Sequence, residues 1–172
     1  MIKGMGCLLT VAGCIGLGLW YRQQFTERLH HIRILLNILD MMMSQVRYHK
    51  AMLPECCHYL SQRLEEPYKS AFSSLQDTFC RDTGENYGKL FYGEMAKCFD
   101  KVVLGKEEKT IFLEFTKSCG YEDAGLQINS MEQYRERLKQ LLNRLEEEVA
   151  GKGRMAMGLS VLGGLLLIVI LL

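Results

Sequence analysis

The chain has 172 residues, 48% of them hydrophobic, with 21 basic and 20 acidic side chains and a formal net charge of +1. That length suits one domain. So even a charge balance gives no reason to expect nucleic acid or a highly charged surface as partner.

The average hides a partition, because every Asp, Glu, Lys and Arg except Lys3 lies between Arg22 and Arg154. Residues 4–21 and 155–172 are runs of 18 residues without a charge. A helix of that length covers roughly 27 Å, close to the hydrocarbon thickness of a bilayer. The sequence therefore predicts a transmembrane helix at 4–21, a helical domain at 22–154 and a second transmembrane helix at 155–172. Trp20 and Tyr21 close the first run, where amphipathic rings favour the water interface.

Three other uses of the apolar ends fit less well. A cleaved signal peptide fits poorly, because the stretch is long and no A-x-A pattern follows it. "VAGC" resembles a lipoprotein cleavage box with Cys14 acylated, but the "CIGLGLW" that follows stays apolar. Replacement of the tail by a lipid anchor needs a polar spacer, which "AGKGRMAMGL" does not supply.

Basic residues set the expected orientation. Arg22, Arg28 and Arg33 follow the first run, and Arg137, Lys139, Arg144, Lys152 and Arg154 lead into the second. By the positive-inside rule the middle domain is cytoplasmic and both termini face the other side. Within the runs, Gly6, Thr10, Cys14 and Gly18 recur every four residues, as do Ala156, Ser160 and Gly164. Ridges of small residues let membrane helices approach closely, so these positions are helix-packing candidates.

Helical periodicity governs the middle. Phe25, Leu29, Ile32, Leu36, Leu39, Met43 and Val46 alternate steps of four and three, and Leu35, Ile38 and Met42 widen that stripe. "LPE" opens a second helix, with Pro54 expected at its first position and Leu53, Cys57, Leu60 and Leu64 as its stripe. Tyr68, Phe72, Leu75 and Phe79 form a third, ended by "DTGENYG". Phe91, Met95, Cys98 and Val102 form a fourth, with "LGKEE" as the turn after it. Phe112, Phe115 and Cys119 give a brief fifth, which Gly120 can cap. Ile128, Met131, Tyr134 or Arg135, Leu138, Leu142, Leu145 and Val149 form a long sixth. No segment alternates with period two. The expected fold is all-α, a bundle of about six helices with short connections, flanked by the two transmembrane helices.

A search for chemistry finds little. The seven cysteines form no C-x-x-C, and free thiols serving as small apolar residues are expected rather than a metal site. "DTG" at 82–84 follows a helix, and a helix-ending turn is expected there. "LGKEEKT" lacks the rest of a phosphate loop. His30, His31, His49 and His58 are expected on helix surfaces rather than as ligands or bases. The dense charges of "YRERLKQLLNRLEEE" are expected to pair along their own helix. No nucleophile, base and orienting group stand together, so a non-enzyme without cofactor or metal is expected.

Several stretches resemble the stage III sporulation protein AB family. They are "RYHKAMLPE", with Tyr48, Leu53 and Pro54; "FTKSCGYEDAGLQI", with Gly120, Asp123, Gln127 and Ile128; and the closing "MGLSVLGGLLLIVILL". Cys119 departs from the leucine expected before the glycine. The soluble part of that family is similar to the cytoplasmic domain of the F-type inner-membrane proteins of type II secretion and type IV pilus systems. The resemblance implies an adaptor in a secretion-like complex between mother cell and forespore. Its implied partners are other membrane subunits and a secretion-type ATPase, docked by the cytoplasmic helices. A membrane-bound regulator or sensor with a helical cytoplasmic bundle is the alternative, along with the lipoprotein acylated at Cys14.

Overall fold

The computed structural model describes residues 23, 25–81, 87–119 and 124–171; for 124, 150 and 152–171 only the helical backbone is described. Among the described residues there are six helices and no strand. Helix α1 covers 25–44 and continues as a π turn at Gln45–His49. It is followed by α2 (Leu53–Ser61), α3 (Tyr68–Arg81), α4 (Tyr87–Phe99), α5 (Lys106–Lys117) and α6 (Ala124–Leu171).

The chain divides into two compact units, one of His30–Leu142 and one of Met1–Leu29 with Asn143–Leu172. In the second unit Leu29 and Leu145 are buried. Among the described residues no helix is long and apolar enough to cross a membrane. The run at 4–21, with Gly6, Thr10, Cys14 and Gly18, lies outside the described residues. Ala156, Ser160 and Gly164 belong to the helical backbone of α6, and their side chains lie outside the description.

The first unit, His30–Leu142, is an up-and-down bundle, and its links and side-chain contacts fix the direction of each helix. Short links join α1 to α2 and α2 to α3, which makes each pair antiparallel. Phe79 meets Tyr87 and Phe72 meets Phe91, so α4 runs back along α3. Phe91 meets Phe115 and Phe99 meets Phe112, so α5 runs back along α4. Phe115 meets Tyr134 and Glu114 faces Arg137, so α6 runs back along α5. The α1–α2 turn, the end of α3, the end of α5 and the start of α6 therefore share one end of the bundle. His30 and Leu142, where the chain enters and leaves, lie towards the other.

Aromatic edges build the core. Phe72, Phe91, Phe115, Phe112 and Phe99 form a string of edge-to-face contacts with centroids 5.5–6.1 Å apart, a favoured geometry for ring quadrupoles. All five are buried, along with Leu35, Ile38, Leu39, Met42, Leu60 and Met131. The first stripe is rotated from its sequence reading. Leu35, Ile38 and Met42 are fully buried, whereas Leu36 and Met43 are only half-buried. The reason is that α1 faces several helices at once, so the centre of its apolar arc points inward.

Helix ends differ from the sequence reading in three places. Pro54 occupies the second helical position of α2, behind Leu53. Tyr87 starts α4 a turn before Phe91, because Tyr87 packs on Phe79. Lys106, Glu107 and Glu108 belong to α5 instead of a turn; acidic residues in a first turn meet the positive end of the helix dipole. "DTG" at 82–84 lies outside the described residues.

Candidate docking surface

Large apolar side chains left in water mark places where a partner can bury them. Four such residues are exposed among the described residues, Tyr48 (75%), Met52 (73%), Leu126 (59%) and Val103. Val103 sits in the α4–α5 link, towards the end where the chain enters and leaves. The other three share the opposite end. Arg135 on α6 bonds Asp40 on α1 at 2.5 Å, which fixes the register of these two antiparallel helices. Tyr48 is then about 12 Å beyond Asp40, and Leu126 about 14 Å from Arg135 in the same direction.

The local backbone explains why Tyr48 and Met52 point outward. At the end of α1 the carbonyl of Gln45 accepts from the N–H groups of both Lys50 and Ala51, which widens the last turn. Lys50 adopts φ 50° and ψ 33°, a left-handed conformation that non-glycine residues seldom take. Tyr48 follows Val46 by two residues, so it stands on the far side of the helix from the buried arc that ends at Val46. Beyond it, Met52 is extended and caps α2, its N–H donating to the Glu55 carboxylate at 3.0 Å. The side chain of Met52 is thus outside while its backbone is satisfied.

The residues that carried the family resemblance fall mostly at this end. Tyr48 is exposed, Leu53 is half-buried against the core, and Pro54 is half-buried. Gln127 is half-buried beside Ile128, which packs on the core. Gly120 and Asp123 lie outside the described residues. Arg47, His49 and Lys50 are exposed around Tyr48. Sequence periodicity missed Met52 and Leu126, because exposure at a helix start carries no repeating signal.

Elsewhere the bundle offers buried thiols. Cys56, Cys57, Cys98 and Cys119 are free and buried, and Cys80 is free and exposed. Burial pushes the Cys56 and Cys98 thiols up to about 11, and raises Cys57 and Cys119 as well. Protonated thiols are poor nucleophiles and poor metal ligands. Among the described residues no group of three or more His, Cys, Asp or Glu could hold a metal ion.

Two expectations about polar residues are corrected. His30, His49 and His58 are exposed as expected, but His31 is half-buried and its Nδ1 shares a hydrogen bond with the buried Tyr68 hydroxyl at 3.3 Å. The charges of α6 reach across helices as well as along the chain. Arg135 bonds Asp40 on α1 as well as its neighbour Glu136, and Arg137 faces Glu114 on α5 at 3.9 Å. Glu108, unremarkable in the sequence, is fully buried.

Comparison with known proteins bears on the whole chain. No curated protein matches it. Among solved structures it is similar to "Stage III sporulation protein AB (SpoIIIAB)", with a TM-score of 0.64 and 19% identity, over 72% of this chain and 97% of that one. That likeness establishes the fold of the bundle. The family model described as Stage III sporulation protein AB matches residues 3–172. With a match running from Lys3 to the final Leu172, the chain belongs to the stage III sporulation protein AB family.

Proposed function

We propose that this sporulation-family protein is a non-enzymatic adaptor, anchored in the cell membrane by 4–21 and 155–172 with its bundle in the mother-cell cytoplasm. Its helices dock a secretion-type ATPase, and its spans, embedded in the lipid bilayer, meet other membrane subunits of a secretion-like complex. Neither nucleic acid nor a cofactor takes part.

The observation that carries this reading is the position of Tyr48, Met52 and Leu126. They are exposed together at the end of the bundle opposite to where the chain enters at His30 and leaves at Leu142. With both chain ends tied to the bilayer, that end is the natural one for a cytoplasmic partner. Tyrosine and methionine are also residue types favoured at interface cores.

The test is purification of the full chain in detergent from sporulating cells. A secretion-type ATPase and membrane subunits are expected to come with it, and recovery of neither overturns the proposal. Topology has its own test at Cys80, the exposed thiol. An impermeant thiol reagent should label Cys80 only after lysis; labelling in intact cells rules out a cytoplasmic bundle.

A further inference from the structure

The α1–α2 turn says something about the chemistry of the partner. Around Tyr48 and Met52 stand Arg47, His49 and Lys50, all exposed. From Met41 to Pro54 the sequence contains no acidic residue. The first that follows, Glu55, holds the Met52 N–H at 3.0 Å and so faces its own helix start. On the α6 side of the same end, Leu126, Gln127, Asn129 and Ser130 are uncharged. Glu122 and Asp123 precede α6 in the sequence and lie outside the described residues, so the positive character belongs to the α1–α2 turn itself.

A second feature sets this turn apart from ordinary surface. Lys50 holds a left-handed backbone at the close of a π turn. A glycine would do so without strain; strained non-glycine residues persist only where the surrounding structure holds them, and they cluster at functional sites. The side chain that Lys50 contributes is an exposed positive charge.

We propose that the α1–α2 turn recognises an acidic surface on its protein partner, with Tyr48 and Met52 filling an apolar recess rimmed by carboxylates that face Arg47 and Lys50. The proposal rests on the docking reading above and names its chemistry. Rim charges of one sign steer encounter with the opposite sign and penalise partners of like charge.

The test uses the full chain in sporulating cells with a photoreactive group at the patch, Tyr48→benzoylphenylalanine, and the same group at Val103 for comparison. The expected result is a cross-link from position 48 to a peptide of another protein rich in Asp and Glu. Its yield should fall about tenfold in the Arg47→Glu/Lys50→Gly variant, and about threefold in Arg47→Gln, which alters one exposed side chain only. A cross-link to a second copy of this chain, to lipid alone, or to a peptide without net negative charge overturns the proposal. So does an unchanged yield in both charge variants, or no cross-link from position 48. A secretion-type ATPase that co-purifies but cross-links through a neutral or basic segment would leave the docking reading standing and remove the acidic surface.

Discussion

Arg135 Nε lies 2.5 Å from Asp40 Oδ1 although 95 residues separate them. The pair ties the middle of α1 to the early part of α6. Both side chains are partly exposed, so the pair supplies register more than stability. A double-mutant cycle with Asp40→Asn and Arg135→Gln should give a coupling of about 0.2–1 kcal/mol that shrinks as salt is added. Zero coupling in low salt would mean that the contact adds nothing measurable to stability.

Two glycines in α4 should respond to alanine with opposite signs. A Cβ on Gly88 would stand 2.8 Å from the Lys117 carbonyl oxygen, a backbone atom with little room to move. Gly88→Ala therefore pushes the start of α4 off the end of α5, at a cost of about 1–3 kcal/mol. A Cβ on Gly93 meets nothing within 4 Å. Gly93→Ala gains helix propensity and should stabilise by up to about 1 kcal/mol. Thermal melts of both variants decide it, and a loss of stability in Gly93→Ala would contradict the open space around Gly93.

Thiol reactivity should follow burial. With native protein near pH 8, a maleimide should modify Cys80 and leave Cys56, Cys57, Cys98 and Cys119 unmodified until the bundle unfolds. The same burial makes stability depend on pH. Cys56 and Cys98 titrate at about 11 when folded, against an ordinary 9.0. Between those values the unfolded chain has lost protons that the folded one keeps, so rising pH favours unfolding. Their contribution is complete below pH 9 and disappears through pH 11. Urea midpoints from pH 8 to 11 should therefore fall less steeply in Cys56→Ala/Cys98→Ala than in the parent, and equal slopes would refute the assignment.

The aromatic string should be the costliest place to cut. Phe91 is fully buried and touches both Phe72 and Phe115. Phe91→Ala removes the ring and leaves a cavity between α3, α4 and α5, with a loss of about 3–5 kcal/mol. Phe91→Leu retains much of the volume and should cost less. Denaturant midpoints for the two variants check the ordering.

The pattern of Tyr68, Phe72, Leu75 and Phe79 was legible because a helix that buries one stripe repeats it, and all four are buried. Leu35, Ile38 and Met42 stand at the margin of the sequence stripe although all three are fully buried. Periodicity identifies an arc but not which neighbours it faces. The partner of Arg135 was out of reach for a related reason: local spacing suggests pairs along α6, while Asp40 becomes available only once α1 lies beside it. At the docking surface, "RYHKAMLPE" was visible as a family motif. The exposure of Met52 was not, because it follows from a widened turn and a helix start that no repeat encodes.

Lys50 offers the sharpest separation of folding from docking. Its left-handed backbone costs a residue with a Cβ roughly 1–2 kcal/mol relative to ordinary helix geometry, a cost glycine avoids. Lys50→Gly should therefore fold at least as well as the parent, with a gain of up to about 1 kcal/mol after the greater freedom of unfolded glycine is counted. At the same time it deletes an exposed positive charge beside Tyr48. Stability should rise while partner recovery falls, measured as the melting temperature of the purified protein and the amount of partner retained with it. Tyr48→Ala should weaken retention too, with stability changed by less than about 0.5 kcal/mol because the ring is exposed. A Lys50→Gly protein that is both more stable and equally competent to retain its partner would show that the strained turn serves something other than docking.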